Sequence, residues 1–314
     1  MTCKRCNHTV RKSGHYGKRH IQRFRCTTCK ITFSQYEPKL GTHYTPPETA
    51  AKVLTLMLEG MSVRAIERFT EMHRDTILSL MNTAANKARR VLDSRVQHIS
   101  PRYVQVDEMW GYVHTREPHL HKGDSPDWGS TMIWLALDSE SKLIITHHIG
   151  RRTGINAHAF ASDLRTRTDG RYQVTSDQYN AYVGAMREHF GQNVDFAQLR
   201  KIYSKGTGDG WYGSGDVVAA IPHIKIGRPD FSHISTSHVE RTNLNVRMHL
   251  RRFTRLTNAY SKTLANMKDA VALYVAFYNF CRVHGSLNKQ TPAMRAGLTD
   301  HAWNLTELLS ANND

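Results

Sequence analysis

The chain has 314 residues, enough for two or three domains, and it carries a formal net charge of +16. Hydrophobic residues make up 39% of the chain, as in a globular protein, and no apolar run approaches the ~20 residues that a membrane span needs. A basic excess of this size could serve solubility alone, but its clustering favours a nucleic-acid partner.

Two Cys-x-x-Cys pairs stand near the N-terminus, Cys3/Cys6 and Cys26/Cys29. Four thiolates brought together form the closed tetrahedral site that structural zinc prefers; two disulfides or four unrelated buried cysteines are the alternatives. The fifth cysteine, Cys281, stands alone, so no disulfide framework remains. We therefore expect a zinc ribbon over residues 1–42, with one structural Zn²⁺, in a protein of the reducing cytoplasm, associated with the nucleoid.

The segment around these cysteines is strongly basic. Residues 1–44 contain ten Lys or Arg against one acid, Glu37. A small metal-stapled fold with this charge predicts contact with a polyphosphate backbone.

Residues 43–98 have the pattern of three short helices with tight turns. Apolar positions recur at helical spacing, Gly60 ends the first helix, and Ser62 caps the second. This pattern predicts a helix-turn-helix unit whose third helix, from about His73, presents Arg74 and Lys87 to DNA. An ordinary helical bundle or linker is the alternative.

The pattern changes to strands at Tyr103. Strands are predicted over 103–113, 131–137 and 143–149, then a helix over 156–167, a strand over 172–176 and a helix over 179–189. This β-β-β-α-β-α order predicts a mixed α/β sheet that starts antiparallel and continues through a crossover. Residues 204–216 form a glycine-rich loop that lacks the Gly-Lys-Ser/Thr of a phosphate loop, and 237–284 read as two helices broken around 257–260.

Three acids stand at informative places in this order. Asp107 lies in the middle of an apolar strand, Asp177 directly follows a short strand, and Glu240 lies in the first turn of a helix. The first and fourth strands of such a sheet are neighbours, and a helix packed on its edge can bring the third acid to the same point. Carboxylates that converge repel one another unless they share divalent metal. Two Mg²⁺ or Mn²⁺ ions held there could activate water and stabilise the leaving oxygen of a phosphodiester.

Each acid also has a simpler explanation. Asp107 could pair with a buried arginine, and Asp177 could cap the following helix. Glu240 could be a first-turn acid that the helix dipole stabilises. Glu108 is the nearest rival to Asp107, but strand alternation predicts that it points to the opposite face. Asp138 is assigned to a hairpin turn. Together, in this order, the three acids predict a metal site.

Basic residues follow the third acid. Arg247 lies two helical turns after Glu240 and shares its face. We expect this segment to contact DNA, and a solvated basic helix face is the alternative. Its arginines fall within fifteen residues that contain no acid: Arg241, Arg247, Arg251, Arg252 and Arg255.

Four motifs together resemble those of a known family. They are Val106-Asp107-Glu108-Met109-Trp110, Thr175-Ser176-Asp177-Gln178-Tyr179, His238-Val239-Glu240-Arg241-Thr242-Asn243, and the stretch 278–287 followed by Thr291-Pro292. With the cysteines and the helices before them, these motifs resemble the DDE transposases with an RNase H-like core, most closely the insertion-sequence-one family of bacteria.

The resemblance covers nearly the whole chain. It implies an RNase H-like core over 99–300, followed by a tail over 301–314, with Asp107, Asp177 and Glu240 as catalytic residues that bind two Mg²⁺ or Mn²⁺ ions. It implies cleavage at terminal inverted repeats and strand transfer into target DNA by a homodimer or higher oligomer, without a membrane partner. The alternatives are a zinc-ribbon and helix-turn-helix regulator without chemistry, and a nuclease or resolvase of the same fold.

Overall fold

A computed structural model describes residues 1–3, 5–16, 20–34, 40, 43, 45–204, 217–254 and 257–311. The chain divides into two compact units, Met1–Ala50 and Ala51–Asp314. The predicted glycine-rich loop lies outside the described residues except for Ser204, and so does Arg255. Among the helices described, none is long and apolar enough to cross a bilayer.

The first unit is built on a small antiparallel sheet of β1 (Val10–Tyr16), β2 (Ile21–Cys26) and β3 (Thr32–Ser34), in that order. Phe24 and Phe33 stack across β2 and β3, with ring centroids 6.2 Å apart. So short a sheet buries little apolar surface, and a unit of this size commonly relies on a metal or disulfides for stability.

Three helices follow the first sheet, as predicted: α1 (Pro47–Leu58), α2 (Val63–Thr70) and α3 (Arg74–Arg95). Ser62 caps α2, because its hydroxyl accepts from the amide of Ala65. Glu71 ends α2 in the left-handed region at φ 56°. The three-residue connection between α2 and α3 is short enough for a helix-turn-helix.

Helix α3 packs along α7 (Leu264–Ala276) of the second unit, and Arg89 of α3 pairs with Asp269 of α7. The sequence predicts a separate module over 43–98, whereas the structure groups residues from Ala51 onward with the main sheet in one unit. The reason lies in α3, whose buried residues continue to Val91 and Leu92 and which packs against α7.

The main sheet has six strands in the order β6-β5-β4-β7-β8-β9. Strands β4, β5 and β6 are antiparallel neighbours, β7 and β8 run parallel to β4, and β9 returns antiparallel to β8. This mixed sheet is consistent with an RNase H-like core and follows the predicted β-β-β-α-β-α order. The elements are β4 (Tyr103–Val113), β5 (Gly129–Asp138), β6 (Ile144–Gly150), α4 (Gly154–Arg167), β7 (Tyr172–Ser176), α5 (Ala181–Phe190), β8 (Val194–Tyr203) and β9 (Val217–Ile226).

The hairpin of β8 and β9 is not predicted from the sequence. Strand β9 lacks the alternation of a half-buried strand, and Pro222 interrupts it. Proline is tolerated here because β9 is the edge strand of the sheet.

The C-terminal part is helical, with the predicted break between α6 (Ser237–His249) and α7. A π-helical turn, Phe277–Cys281, extends α7. Within it, the buried amide of Asn279 exchanges two hydrogen bonds with the backbone of Ile144 at the start of β6, which fixes α7 to the sheet. Two short helices follow, α8 (Pro292–Arg295) and α9 (Leu305–Ser310).

Candidate functional site

The carboxylates of Asp107, Glu108 and Asp177 form a cluster where β7 ends against β4. The parallel register pairs Gln105 with Thr175, so two residues further along Asp177 lies beside Asp107. One carboxylate oxygen from each of the three acids lies within 4.8 Å of the others. The expected adjacency of the first and fourth strands is therefore confirmed.

Asp107 is the most perturbed acid of the cluster. Its Oδ2 accepts a hydrogen bond from Asn243 Nδ2 on α6 at 2.8 Å. Burial, and after it the charges of Asp177 and Glu108, raise the pKa of Asp107 to about 7. A divalent cation bound here would stabilise the ionised form of this carboxyl group in place of its proton. The site is therefore suited to a divalent ion.

Glu108 also belongs to the cluster, although it points to the face opposite Asp107, as strand alternation predicts. Alternation does turn it from α6, since its Oε2 accepts from Arg152 Nε at 3.1 Å. Asp177, however, lies just beyond the end of β7, where side chains from both faces of β4 can reach it. The Glu108 side chain is 3% exposed, and burial followed by the charge of Asp177 raises its pKa.

Arg152, at the end of β6, bridges two of these acids. Its Nη2 donates to Asp177 Oδ2 at 3.1 Å, and its guanidinium lies 4.1 Å from the ring centroid of Tyr179. No sequence motif singles this arginine out. It neutralises part of the cluster, and a divalent ion held by Glu108 and Asp177 would have to displace it.

Glu240 lies near the cluster but is not a member of it. The amides of His238 and Val239, at the start of α6, donate to Gln105 Oε1 at 2.9 and 3.1 Å and dock α6 on β4. The Glu240 carboxylate accepts from Lys201 of β8 and from Thr236 Oγ1. Its charge is a minor cause of the raised pKa of Asp107.

The donor set fits a hard divalent ion. Carboxylate oxygens are the ligands that Mg²⁺ and Mn²⁺ prefer. Glu108 Oε1 is buried and makes no hydrogen bond of ordinary length among the described residues, although its carboxylate lies close enough to the buried hydroxyl of Tyr182 to interact with it. Asp107, Glu108 and Asp177 could hold an ion directly, whereas Glu240 would first have to leave Lys201.

The four N-terminal cysteines also come together. Sγ–Sγ distances are 3.5 Å for Cys3–Cys29, 3.4 Å for Cys6–Cys26 and 3.6 Å for Cys6–Cys29. Thiolates at about 2.3 Å from a tetrahedral zinc lie about 3.8 Å apart, so the cluster is compatible with zinc. All four thiols are free, which excludes the disulfide alternative in this structure.

The backbone around Cys26 favours its thiolate. The amides of Thr28 and Cys29 each donate to Cys26 Sγ at 3.4 Å. Burial opposes the charge, but these hydrogen bonds outweigh it and lower the pKa of Cys26 to about 6. A thiolate near neutral pH is the form that binds metal.

Two of the predicted DNA-binding residues line one groove of about 680 Å³ and are exposed, Arg74 of α3 and Arg251 after α6. Arg64 of α2 and Lys262, which the sequence did not single out, line it too. None of the described residues that line the groove is an acid. Its basic lining consists of Arg64, Arg74, Arg251, Arg252 and Lys262.

Other predicted cations are placed differently. Arg252 Nη1 donates to Ser261 Oγ and to the carbonyl of Asn266, and burial lowers its pKa to about 10, so it holds the protein segment itself. Arg247 donates to the carbonyls of Trp110 and Phe253. Arg241 is exposed on α6, and Lys87 is half-buried on α3. Neither residue lines the groove.

No protein-family model matches the chain, and no curated protein matches it. Among solved structures, the chain is similar to the piggyBac transposase synaptic complex with hairpin DNA, at a TM-score of 0.36 and 10% identity over 84% of this chain and 70% of that one. It is also similar to the Mos1 strand transfer complex, at a TM-score of 0.22 and 15% identity over 49% of this chain and 59% of that one. The chain thus spans less than two thirds of Mos1.

Proposed function

We propose that the protein is a DDE-type DNA transposase of the insertion-sequence-one type, which cleaves DNA at the terminal inverted repeats of its element and joins the ends to target DNA. One observation carries this proposal: acids from β4 and β7 converge where β7 ends, and α6, the helix that carries Glu240, docks on β4 through Gln105. A regulator without chemistry gains nothing from this arrangement, because burying Asp107 and Glu108 beside a third acid destabilises a fold that binds no cation there.

Asp107 and Asp177 would hold divalent ions, with Glu240 completing the set. When bound, the ions would activate water or a 3′-hydroxyl and stabilise the leaving 3′-oxygen of the scissile phosphodiester. Asn243 would orient the Asp107 carboxylate through its hydrogen bond. Water would attack first and free a 3′-hydroxyl at the element's end. This hydroxyl would then attack a target phosphodiester in line, forming one P–O bond as another breaks, without a covalent enzyme intermediate.

The basic groove would bind the DNA backbone. Cations that cluster without acids neutralise phosphates and release counterions, and the groove's lining meets this condition. We propose that Arg74 and Arg251, both exposed, contact phosphates there, together with Arg64 and Lys262. The ribbon and the helices α1 to α3 would recognise the terminal repeats, and joining two ends would require a dimer or a higher oligomer.

A strand-transfer assay tests this function. Purified full-length protein would be incubated with labelled DNA carrying the sequences that flank its own gene, with Mg²⁺ or Mn²⁺. We expect joined products from the wild type and none from Asp107→Asn, Asp177→Asn or Glu240→Gln, each of which removes charge and little volume. Asp127→Asn changes an exposed aspartate outside the site and should leave the products unchanged.

The alternatives give different outcomes in the same assay. Metal-dependent cleavage without joined strands would favour a nuclease or resolvase of the same fold. Binding to the flanking DNA without any metal-dependent product would favour a DNA-binding regulator. Normal products from Asp177→Asn would overturn the assignment of the second acid.

A further inference from the structure

A second cluster of metal-ligating side chains lies between α4 and α5. His158 belongs to α4, and Glu188 and His189 belong to α5. One ring nitrogen of each histidine and one oxygen of Glu188 lie within 4.8 Å of one another. This cluster shares no residue with the carboxylates near Asp107 or with the four cysteines, and the mechanism proposed above does not use it.

The three side chains lie close to one another. His158 Nδ1 lies 3.2 Å from Glu188 Oε2, and the two imidazole rings stand edge to face with centroids 5.5 Å apart. Ligands at about 2.0–2.1 Å from a tetrahedral ion lie about 3.3 Å apart. The pair of His158 and Glu188 meets this spacing, and a ring nitrogen of His189 lies within 4.8 Å of both ligand atoms.

His189 supplies an independent indication of a missing ligand. Its Nε2 is buried, and the structure gives it no hydrogen-bond partner among the described residues. A buried imidazole nitrogen without a partner is costly, because it has lost its hydrogen bonds to water. Packing against His158 explains why the ring is buried but leaves this nitrogen unsatisfied.

We propose that His158, Glu188 and His189 bind one late first-row divalent cation, zinc in the cell, with water in the fourth position. Two imidazoles and a carboxylate suit Zn²⁺, Ni²⁺ or Co²⁺, whereas Mg²⁺ prefers oxygen ligands alone. The ion tethers α4 to α5, the two helices that follow β6 and β7. Its binding therefore stabilises the folded second unit.

A titration with Ni²⁺ tests this site. Full-length protein that retains one zinc per chain would be titrated calorimetrically at pH 7.5, with the variants His158→Gln and His189→Gln. We expect a nickel site in the wild type whose Kd rises at least about ten-fold in each variant. His98→Gln changes a histidine with a side chain that is 82% exposed, outside the cluster, and should bind as the wild type does. A second zinc in the purified wild type that is missing from both cluster variants would support the site equally.

Equal affinity in the wild type and both cluster variants would overturn the proposal, as would the absence of nickel binding below roughly 1 mM. Ions held by the carboxylates near Asp107 are common to all these proteins and cancel in the comparison. X-ray absorption of nickel bound to the wild type gives a readout that needs no variant. We expect two imidazole ligands and no sulfur, and a shell that contains sulfur or only oxygen would contradict the site.

Discussion

Glu108 joins Asp107 and Asp177 because Asp177 follows the last residue of β7. Side chains from both faces of the neighbouring strand β4 can reach it there. Strand alternation correctly assigns Glu108 to the face opposite α6, where it meets Arg152. Strand alternation does not predict that the Glu108 side chain can approach Asp177 past the end of β7. The local sequence therefore identified the catalytic candidates but undercounted the acids that can share a cation.

Replacing Glu108 should weaken metal binding. Glu108→Gln removes one of three clustered carboxylates while it keeps the volume and a hydrogen-bond acceptor for Arg152. We expect the Kd for Mn²⁺ to rise about ten-fold, as read from the electron paramagnetic resonance signal of free Mn²⁺. Glu140→Gln changes a surface glutamate and should leave the Kd unchanged. An unchanged Kd in Glu108→Gln would show that this acid serves only to hold Arg152.

His147 should make the fold less stable in mild acid. It lines a small cavity beside Arg89, Asp93, Asp163 and Arg167. Burial, and then the charge of Arg167, lower the pKa of His147 from 6.5 to about 4. The unfolded chain therefore binds the proton first, and the stability present above pH 6.5 is lost as the pH falls through the folded pKa.

The variant His147→Gln removes this titration. Between pH 7.5 and pH 5 the wild type should lose about 2 kcal/mol more of its free energy of unfolding than the variant does. Urea unfolding at the two pH values measures the difference. His98→Gln, which changes an exposed histidine, should keep the wild-type dependence on pH. If His147→Gln also keeps it, the histidine is not buried in its neutral form.

At the scale of elements, the strands that carry the acids follow from the sequence and the edge hairpin does not. Strands β4 and β7 lie residue for residue where apolar and β-branched runs predict them. Strand β9 is exposed over most of its length, so no buried face imposes a pattern on it. Its Lys201-bearing partner β8 nevertheless reaches Glu240, a contact that no local pattern could indicate.

The first unit should depend on its metal. Cys26→Ser removes the thiol that accepts two backbone hydrogen bonds and contacts Cys6. We expect this variant to lose about one zinc per chain and to bind the flanking DNA more weakly, because metal binding and folding of such a unit are coupled. Zinc content and a DNA-binding titration measure the two effects. Cys281→Ser changes a cysteine far along the chain and should retain the zinc; full zinc retention in Cys26→Ser would exclude the four-cysteine site.

At the scale of the whole molecule, the groove brings together cations that are distant in sequence. Arg64 and Arg74 belong to the early helices, while Arg251 and Lys262 flank the break after α6. The sequence predicts DNA contact for Arg251 and Arg252 alike. Tertiary contacts, however, turn Arg252 inward. Position in the folded unit, rather than residue type, therefore distinguishes Arg251, which is exposed in the groove, from Arg252, which holds a segment of the protein.

The groove can be tested through the salt dependence of binding. The double variant Arg74→Ala with Arg251→Ala should weaken DNA binding, and the slope of log K against log salt should fall by about 1 for each phosphate contact that is lost. Fluorescence anisotropy at several salt concentrations measures the slope. Arg102→Ala removes an exposed arginine outside the groove and should leave it unchanged. An unchanged slope in the double variant would place the DNA elsewhere.

The sequence by itself determined the order of the elements from β4 to α5, the four-cysteine cluster and the adjacency of Asp107 and Asp177, because periodicity, ligand spacing and strand order are local or nearly local properties. Only the tertiary structure decided that Glu108 and Arg152 join the carboxylates, that Lys201 holds Glu240, and that α3 packs along α7. These contacts join residues from elements far apart in the chain. Their geometry is fixed by the packing of side chains, which no spacing along the sequence records.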